Sequence, residues 1–191
     1  NLFIAGFENG AIYAVKGQPF GVIYGSKYVR DGSGNLLIND DPNDPGYGMP
    51  IPGSKNDVIG NINPKWIASA ISSLSYKNFT FGFQIDIRHG GDIWNGTRGA
   101  LSYFGTSKET ETRGESKVFT GNMGHLDGNG NVVHYASDHT TEISGSGSAN
   151  NNSVILGQYY WQNIGSSFIG PAEPSIEDGS FVRFRNISLG Y

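Results

Sequence analysis

Residues 76–95 read YKNFTFGFQIDIRHGGDIWN, and within them Phe79, Phe81, Phe83, Ile85 and Ile87 alternate with Thr80, Gly82, Gln84, Asp86 and Arg88. Successive side chains of a strand point to opposite faces, so a period of two makes a strand with one oily and one wet face. The preceding stretch, WIASAISSLSY (66–76), is separated from it only by Lys77 and Asn78, the length of a two-residue hairpin loop. That loop sets a register in which Tyr76 faces Phe79, Leu74 faces Phe81, Ser72 faces Phe83, Ala70 faces Ile85 and Ala68 faces Ile87. The other side then pairs Ser75 with Thr80, Ser73 with Gly82, Ile71 with Gln84, Ser69 with Asp86 and Ile67 with Arg88. Two strands read separately agree on which side is apolar.

Working outward, PFGVIYGSKYV (19–29) is a third strand, with Phe20, Val22, Tyr24 and Tyr28 on one face. SFVRFRNISLGY (180–191) is a fourth, whose alternation slips once, as a β-bulge would make it slip. The connections 30–65 and 90–179 are rich in Gly, Asn, Asp and Ser and are expected to be loops. Structureless loops beyond ~12–15 residues are uncommon in compact domains. The expected plan is therefore one tight turn at one end of a sheet and long loops at the other. A strand of about ten residues tilted by about 40° rises on the order of 25 Å, the height of the apolar band of an outer-membrane barrel. Trp66 and Trp94 lie toward the loop end, and Tyr76 and Phe79 at the turn end, as interfacial girdles require. A second protein sheet would explain the alternation as well as lipid does, but not the unequal loops.

The bulk composition fits many strands joined by turns. Of 191 residues 29 are glycine and 13% are aromatic, while only 16% are charged, against roughly 25% in an ordinary soluble domain. A net charge of −4 without a basic cluster argues against nucleic acid as a partner, because phosphate binding needs grouped Lys and Arg. Without cysteine there is neither a disulfide nor a thiolate metal site. No apolar run approaches the ~20 residues of a membrane helix, a test that barrel strands escape. The opening NLFIAGFENG lacks the marks of a signal peptide, and the closing ISLGY falls inside a strand pattern. The chain thus reads as an internal piece of a longer protein.

Several groups invite chemistry. DGNGN (127–131) has the start of a calcium loop, with Asp138 at its twelfth position, but Val132 stands where the sharp turn needs glycine. DGSGN (31–35) fails sooner, with Leu36 and Pro42 at those positions. Calcium in a loop is thus a minor expectation beside plain Asp-Gly turns, and no other cofactor is expected. His134, Asp138 and His139 match no zinc spacing, and the acidic run 39–44 reads as a solvated loop. Glu177 and Asp178 are neighbours in sequence, whereas glycoside hydrolysis needs carboxylates converging across a cleft. With no G-x-S-x-G motif and no cysteine, the chain is not expected to be an enzyme. Tyr159, Tyr160 and Trp161 in GQYYWQN offer flat faces to a sugar ring or a protein partner, or pack their loop against its neighbours. Packing is the favoured reading, and the three are the candidate substrate contacts beside it.

Three blocks together carry a resemblance: GQPFGVIYGSKYVRDGSGNLL from Gly17, VIGNINPKWIASAISSLSYKNFTFGFQIDIRHGGDIWNGTR over 58–98, and IEDGSFVRFRNISLGY over 176–191. Their order, with the GN-x-NP-x-W element before a strand and the YKNFTF hairpin, resembles the SusC/RagA family of TonB-dependent outer-membrane transporters. The resemblance implies an all-β fold, an antiparallel transmembrane β-barrel segment that is part of a 22-stranded barrel with short periplasmic turns and long extracellular loops. The plug domain and the final strands lie outside this piece. It also implies a Gram-negative outer membrane, uptake of oligosaccharides or peptides, a SusD-like lipoprotein partner, and energy from the TonB complex acting on the plug. On that basis Phe79, Phe81, Phe83, Ile85 and Ile87 face lipid, while Gln84, Asp86 and Arg88 face the lumen. The rival expectation is a secreted or surface carbohydrate-binding module or adhesin, with the same strands packed in a sandwich.

Overall fold

The computed structural model describes residues 1–7 and 10–191. In chain order the strands are β1 (Leu2–Phe7), β2 (Gly10–Ala14), β3 (Val22–Tyr28), β4 (Leu37–Ile38), β5 (Pro52–Asn61), β6 (Trp66–Tyr76), β7 (Phe79–His89) and β8 (Asp92–Trp94). Helix α1 (Gly96–Tyr103) follows, then the short β9 (Ser116–Lys117), β10 (Asn122–Met123), β11 (His125–Leu126), β12 (Val132–Tyr135), β13 (Glu142–Ser144) and β14 (Val154–Ile155). Helix α2 (Gln158–Asn163), β15 (Ile176–Asp178) and β16 (Phe181–Gly190) complete the chain. Strands hold 45% of the residues and helices 12%, which makes the class all-β, but the sheets do not close into a barrel within this chain.

The hairpin has the register that its two-residue turn implies: all eleven pairs from Trp66–His89 to Tyr76–Phe79 are in place. β16 adds to the other edge of β7, and its ladder shifts between Phe184 and Asn186, so Arg185 is the extra residue of a bulge. The shift keeps Val182, Phe184, Ile187 and Leu189 beside Ile87, Ile85, Phe83 and Phe81. One face of the β6–β7–β16 sheet is therefore apolar across all three strands. The other carries Ser69, Ser73, Gln84, Asp86, Arg88, Arg183 and Ser188, with Ile67, Ile71 and Phe181 among them.

The four-stranded sheet β1–β2–β3–β5 adjoins the first across a shared break. β5 stops at Asn61 and β6 starts at Trp66; β7 and β8 are parted by Gly90 and Gly91, and β15 and β16 by Gly179 and Ser180. The three breaks lie side by side: the Asn61 amide donates to Asp92 Oδ2 and the Gly179 amide to the Gly91 carbonyl. Gly91 has φ +87°, and a Cβ there would fall 2.9 Å from the Ile62 carbonyl oxygen, so both backbone shape and space demand glycine. Beyond the break β8 pairs with β15, continuing the order of β7 and β16.

Two expectations for the long connections change. The segment 30–65 contains β5, which pairs with β3 over Val22–Asn61 to Tyr28–Pro52. β5, PGSKNDVIGN, has no alternation to announce it; the partner strand makes it a strand. The segment 90–179 is likewise no bare loop, since it holds two helices and shares a buried core with the segment 30–65. Ile38, Met49, Phe119, Leu156 and Ile164 form that core, with Tyr28, Leu36, Met123, Tyr160 and Trp161 packed around it. Strand 19–29 begins only at Val22, because Gly17 and Gly21 hold positive φ in the turn before it. Tyr28 enters the connection core, its hydroxyl donating to the Ile164 carbonyl at 2.8 Å. None of the buried hydrophobic residues belongs to β6, β7 or β16.

Candidate functional site

The apolar face of β6–β7–β16 is built and left open. Phe79, Phe81, Leu74, Phe184 (62% exposed), Ile187 and Leu189 (76% exposed) all remain accessible. Phe83, Ile85 and Ile87 lie in the middle of this lattice and are half-buried by their in-sheet neighbours. Aromatic rings mark both ends. Trp66 lies against His89 at the loop end, with centroids 5.4 Å apart, and Phe79 meets Tyr191 at 5.0 Å beside Tyr76 at the turn end.

On the opposite face the charges converge on Asp86. Its Oδ1 accepts from the Ser69 hydroxyl at 2.9 Å and the Gln84 amide at 3.2 Å. Its Oδ2 lies 3.0 Å from Arg185 Nε and 3.8 Å from Arg183 Nη2. Arg88 sits higher on the same face, where Nη2 donates to the Ile62 carbonyl at 2.8 Å and Nε to that of Gly90 at 3.4 Å. Arg88 thus staples the break described above. The sequence places Gln84, Asp86 and Arg88 on one side, and the register agrees; Arg183 and Arg185 of β16, which the sequence sets on one face beside Phe181, both meet the Asp86 carboxylate.

Above the break is a cavity of about 1080 Å³. Ile12, Ile23 and Ile62 form one wall, Ile93 and Trp94 of β8 another, and Thr97, Ala100 and Phe168 a third, with Arg88 and Asp92 at the polar end. Gly10 and Gly96 permit this arrangement, for a Cβ on either would meet the Trp94 indole at less than 3 Å. At its rim Phe168, Tyr103 and Phe104 contact one another with centroids 5.0–5.6 Å apart. Concave, largely apolar walls with a few polar groups are the usual form of a ligand pocket. Nothing in the periodicity of the sequence announces it, because its walls come from six separate segments.

Tyr159, Tyr160 and Trp161 lie on α2, and they divide. Tyr160 packs on Phe119 at 5.3 Å and edge-on to Trp161 at 5.0 Å, both being part of the connection core. Burial, with the Glu109 charge behind it, raises the Tyr160 hydroxyl above its ordinary range. Tyr159 alone stays substantially exposed, over Gly46 and near Asp44. These three residues line neither the cavity nor the polar face.

The remaining candidates resolve into turns and ties. DGSGN and DGNGN fold alike: Asp31 Oδ1 accepts from the Ser33 and Asn35 amides, as Asp127 Oδ1 does from Asn129 and Asn131, and each Oδ2 takes the asparagine side chain. Asp31 also receives the Asn122 amide and the Ser146 hydroxyl. The Asn122 side chain, with the Asn35 and Ser33 amides, pulls its carboxyl down to about 2. The carboxylate of each loop is thus occupied by the turn itself. Asp138 accepts from Thr140 and Thr141, while His134 pairs with the Gly145 carbonyl. Among the described residues no group of three metal-ligating side chains converges. Glu177 binds Asn95 and approaches Arg98, whereas Asp178 accepts from Ser180, so the two do not converge.

Two clusters lacked any sequence signal. His125 lies between Asp40 Oδ1 (2.8 Å) and Glu142 Oε1 (3.4 Å), stacked on Tyr135 at 4.2 Å, and ties the β4 segment to the β11–β12–β13 sheet. Arg98 of α1 pairs with Glu109 at 2.8 Å, and Ser102 and Ser107 donate to the same carboxylate. Arg98, foremost, holds the Glu109 carboxyl below its ordinary range.

No protein-family model matches the chain, and no curated protein matches it either.

Proposed function

We propose that this chain is a stretch of transmembrane β-barrel from an outer-membrane transporter of the SusC/RagA type, part of a 22-stranded barrel in a Gram-negative outer membrane. In this reading the β6–β7–β16 sheet crosses the membrane, and the segments 30–65 and 90–179 form its folded extracellular cap. Oligosaccharides or peptides enter with a SusD-like lipoprotein, and TonB supplies the energy through the plug. The chain acts as a conduit and not as an enzyme.

The observation that supports this is the open apolar lattice of β6, β7 and β16, ending in aromatic rings at both edges and backed by a polar face. Lipid tails satisfy such a face without a second protein layer; β7 is paired along both edges, and in this reading neighbouring barrel strands pair the outer edges of β6 and β16. The rival sandwich needs a cover over Phe81, Phe83 and Ile85, yet Phe81 and its neighbours Leu74 and Leu189 remain exposed. That no helix among the described residues is long and apolar enough to cross a membrane has no bearing, since barrels cross with strands. Extraction of the full-length protein tests the assignment. It is expected to sediment with outer membranes, to need detergent for release and to migrate faster unheated than heated on a gel. Release as a folded, soluble species without detergent overturns it.

A further inference from the structure

The polar face of β6–β7–β16 carries three guanidiniums, Arg88, Arg183 and Arg185, against the single carboxylate of Asp86 among the described residues. Arg88 is held by two backbone carbonyls at the break. That leaves Arg183 and Arg185 sharing one oxygen, Asp86 Oδ2, whose companion oxygen already serves Ser69 and Gln84. One carboxylate cannot occupy two forks of donors. Both arginine side chains stay more than half exposed, at 53% and 59%.

The bulge sharpens the point. If Arg185 were removed, Phe181, Arg183, Asn186 and Ser188 would still alternate with Val182, Phe184, Ile187 and Leu189. The ladder therefore has no need of the extra residue; its effect is to set a second guanidinium beside the first, and bulges re-aim side chains in this way next to functional sites. Arg183 is further held over the Phe181 ring, 5.0 Å from its centroid, which orients its planar fork.

We propose that Arg183 and Arg185 form an oxyanion site on this face, and that its ligand is acidic cargo, an oligomer bearing carboxylate or sulfate groups. The planar guanidinium matches such groups with two parallel hydrogen bonds, and two guanidiniums that converge on one point bring their donors to the same anionic group. Asp86 then acts as the resident counter-ion, keeping the pair in place and yielding it to a stronger anion. This rests on the reading of the polar face as facing the interior of the barrel.

The test uses the full-length protein in detergent, with oligogalacturonate and oligoglutamate as probes, each against its neutral methyl ester. The acidic probes are expected to bind more tightly than their esters, with an advantage that shrinks as salt rises. The double variant Arg183→Gln/Arg185→Gln is expected to lose about tenfold in acidic-probe affinity and nothing with the esters, the loss expected for charge-assisted hydrogen bonds. Asp86→Asn, which frees both forks, is expected to tighten acidic binding, and deletion of Arg185 to weaken it at unchanged thermal stability. Equal binding of acidic and ester probes, or an unaltered double variant, overturns the proposal. So does a double variant that loses heat stability and binds both probes equally poorly, because the arginines then serve a carboxylate of the protein itself. If the protein needs no detergent, the lumen reading falls with it; if membrane behaviour stays intact and only the acidic preference is missing, this proposal alone falls.

Discussion

Lys77 turns the hairpin with φ +52°, and Asn78 beside it is not in the left-handed region. Positive φ at the first central residue alone is the mark of a type II′ turn, which favours glycine there. A lysine in that conformation costs on the order of 1 kcal/mol through its Cβ. Lys77→Gly is accordingly expected to stabilise the folded full-length protein by up to about 1 kcal/mol, read as a higher urea midpoint in refolding from detergent or lipid. An unchanged or lower midpoint would contradict the turn assignment. At this scale the sequence was legible where the chemistry is local. The Lys77-Asn78 spacing set the register of eleven pairs, and the imperfect alternation of 180–191 pointed to a bulge, which the ladder places at Arg185. Asp31 and Asp127 were legible as turn residues for the same reason, since each carboxylate binds donors within four residues. Residues whose partners lie far along the chain gave no sign. His125 meets Asp40 across 85 positions, and no periodicity records that.

Elements show the same division between local pattern and distant partner. β6 and β7 carry their own alternation and were found to the residue, whereas β5 becomes a strand only against β3, and β2 only between β1 and β3. Packing of the aromatic run of α2 against its neighbours was legible, but not its partners, because Phe119, which meets Tyr160, comes from another segment. On β7 the two faces make a sharp prediction. Phe83→Arg puts a charge in the middle of the apolar face and is expected to cost about 2–4 kcal/mol in a bilayer, while Ser73→Arg on the other face is expected to cost little. Folding yields of the two variants into lipid vesicles measure the difference; equal yields would contradict the sidedness. In the cap, Glu109 joins α1 to the turn at Lys108–Thr112 through Arg98. A carboxyl held below its unfolded value stabilises the fold above that value, about 4.5, and the contribution fades as pH falls through the lower folded one. Proteolysis of the cap is thus expected to quicken below about pH 4.5. Glu109→Gln, which costs about 1 kcal/mol, is expected to show the faster rate already at neutral pH. Identical rates in variant and wild type would remove Glu109 from the cap's stability.

Over the molecule as a whole, apolar residues are distributed in an unusual way. The buried core lies in the connections and the β3 sheet, around Ile23, Ile38 and Ile164, while the sheet richest in Phe and Ile buries none of them fully. A water-soluble domain would place its hydrophobic core in the reverse manner, under its best strands. The distribution makes sense if β6–β7–β16 is solvated by hydrocarbon and the remainder by water, and the exposed face then needs no covering element. The whole account depends on that division of solvents. It is measured most directly by attaching a fluorophore to the full-length protein in lipid vesicles through Phe184→Cys or Ser73→Cys, one on each face, and comparing quenchers. Quenching at position 184 by bromine-labelled acyl chains and not by aqueous iodide, with no bromolipid quenching at position 73, is the predicted result. Iodide access at position 184, or shielding there from both quenchers by a layer of protein, would contradict it.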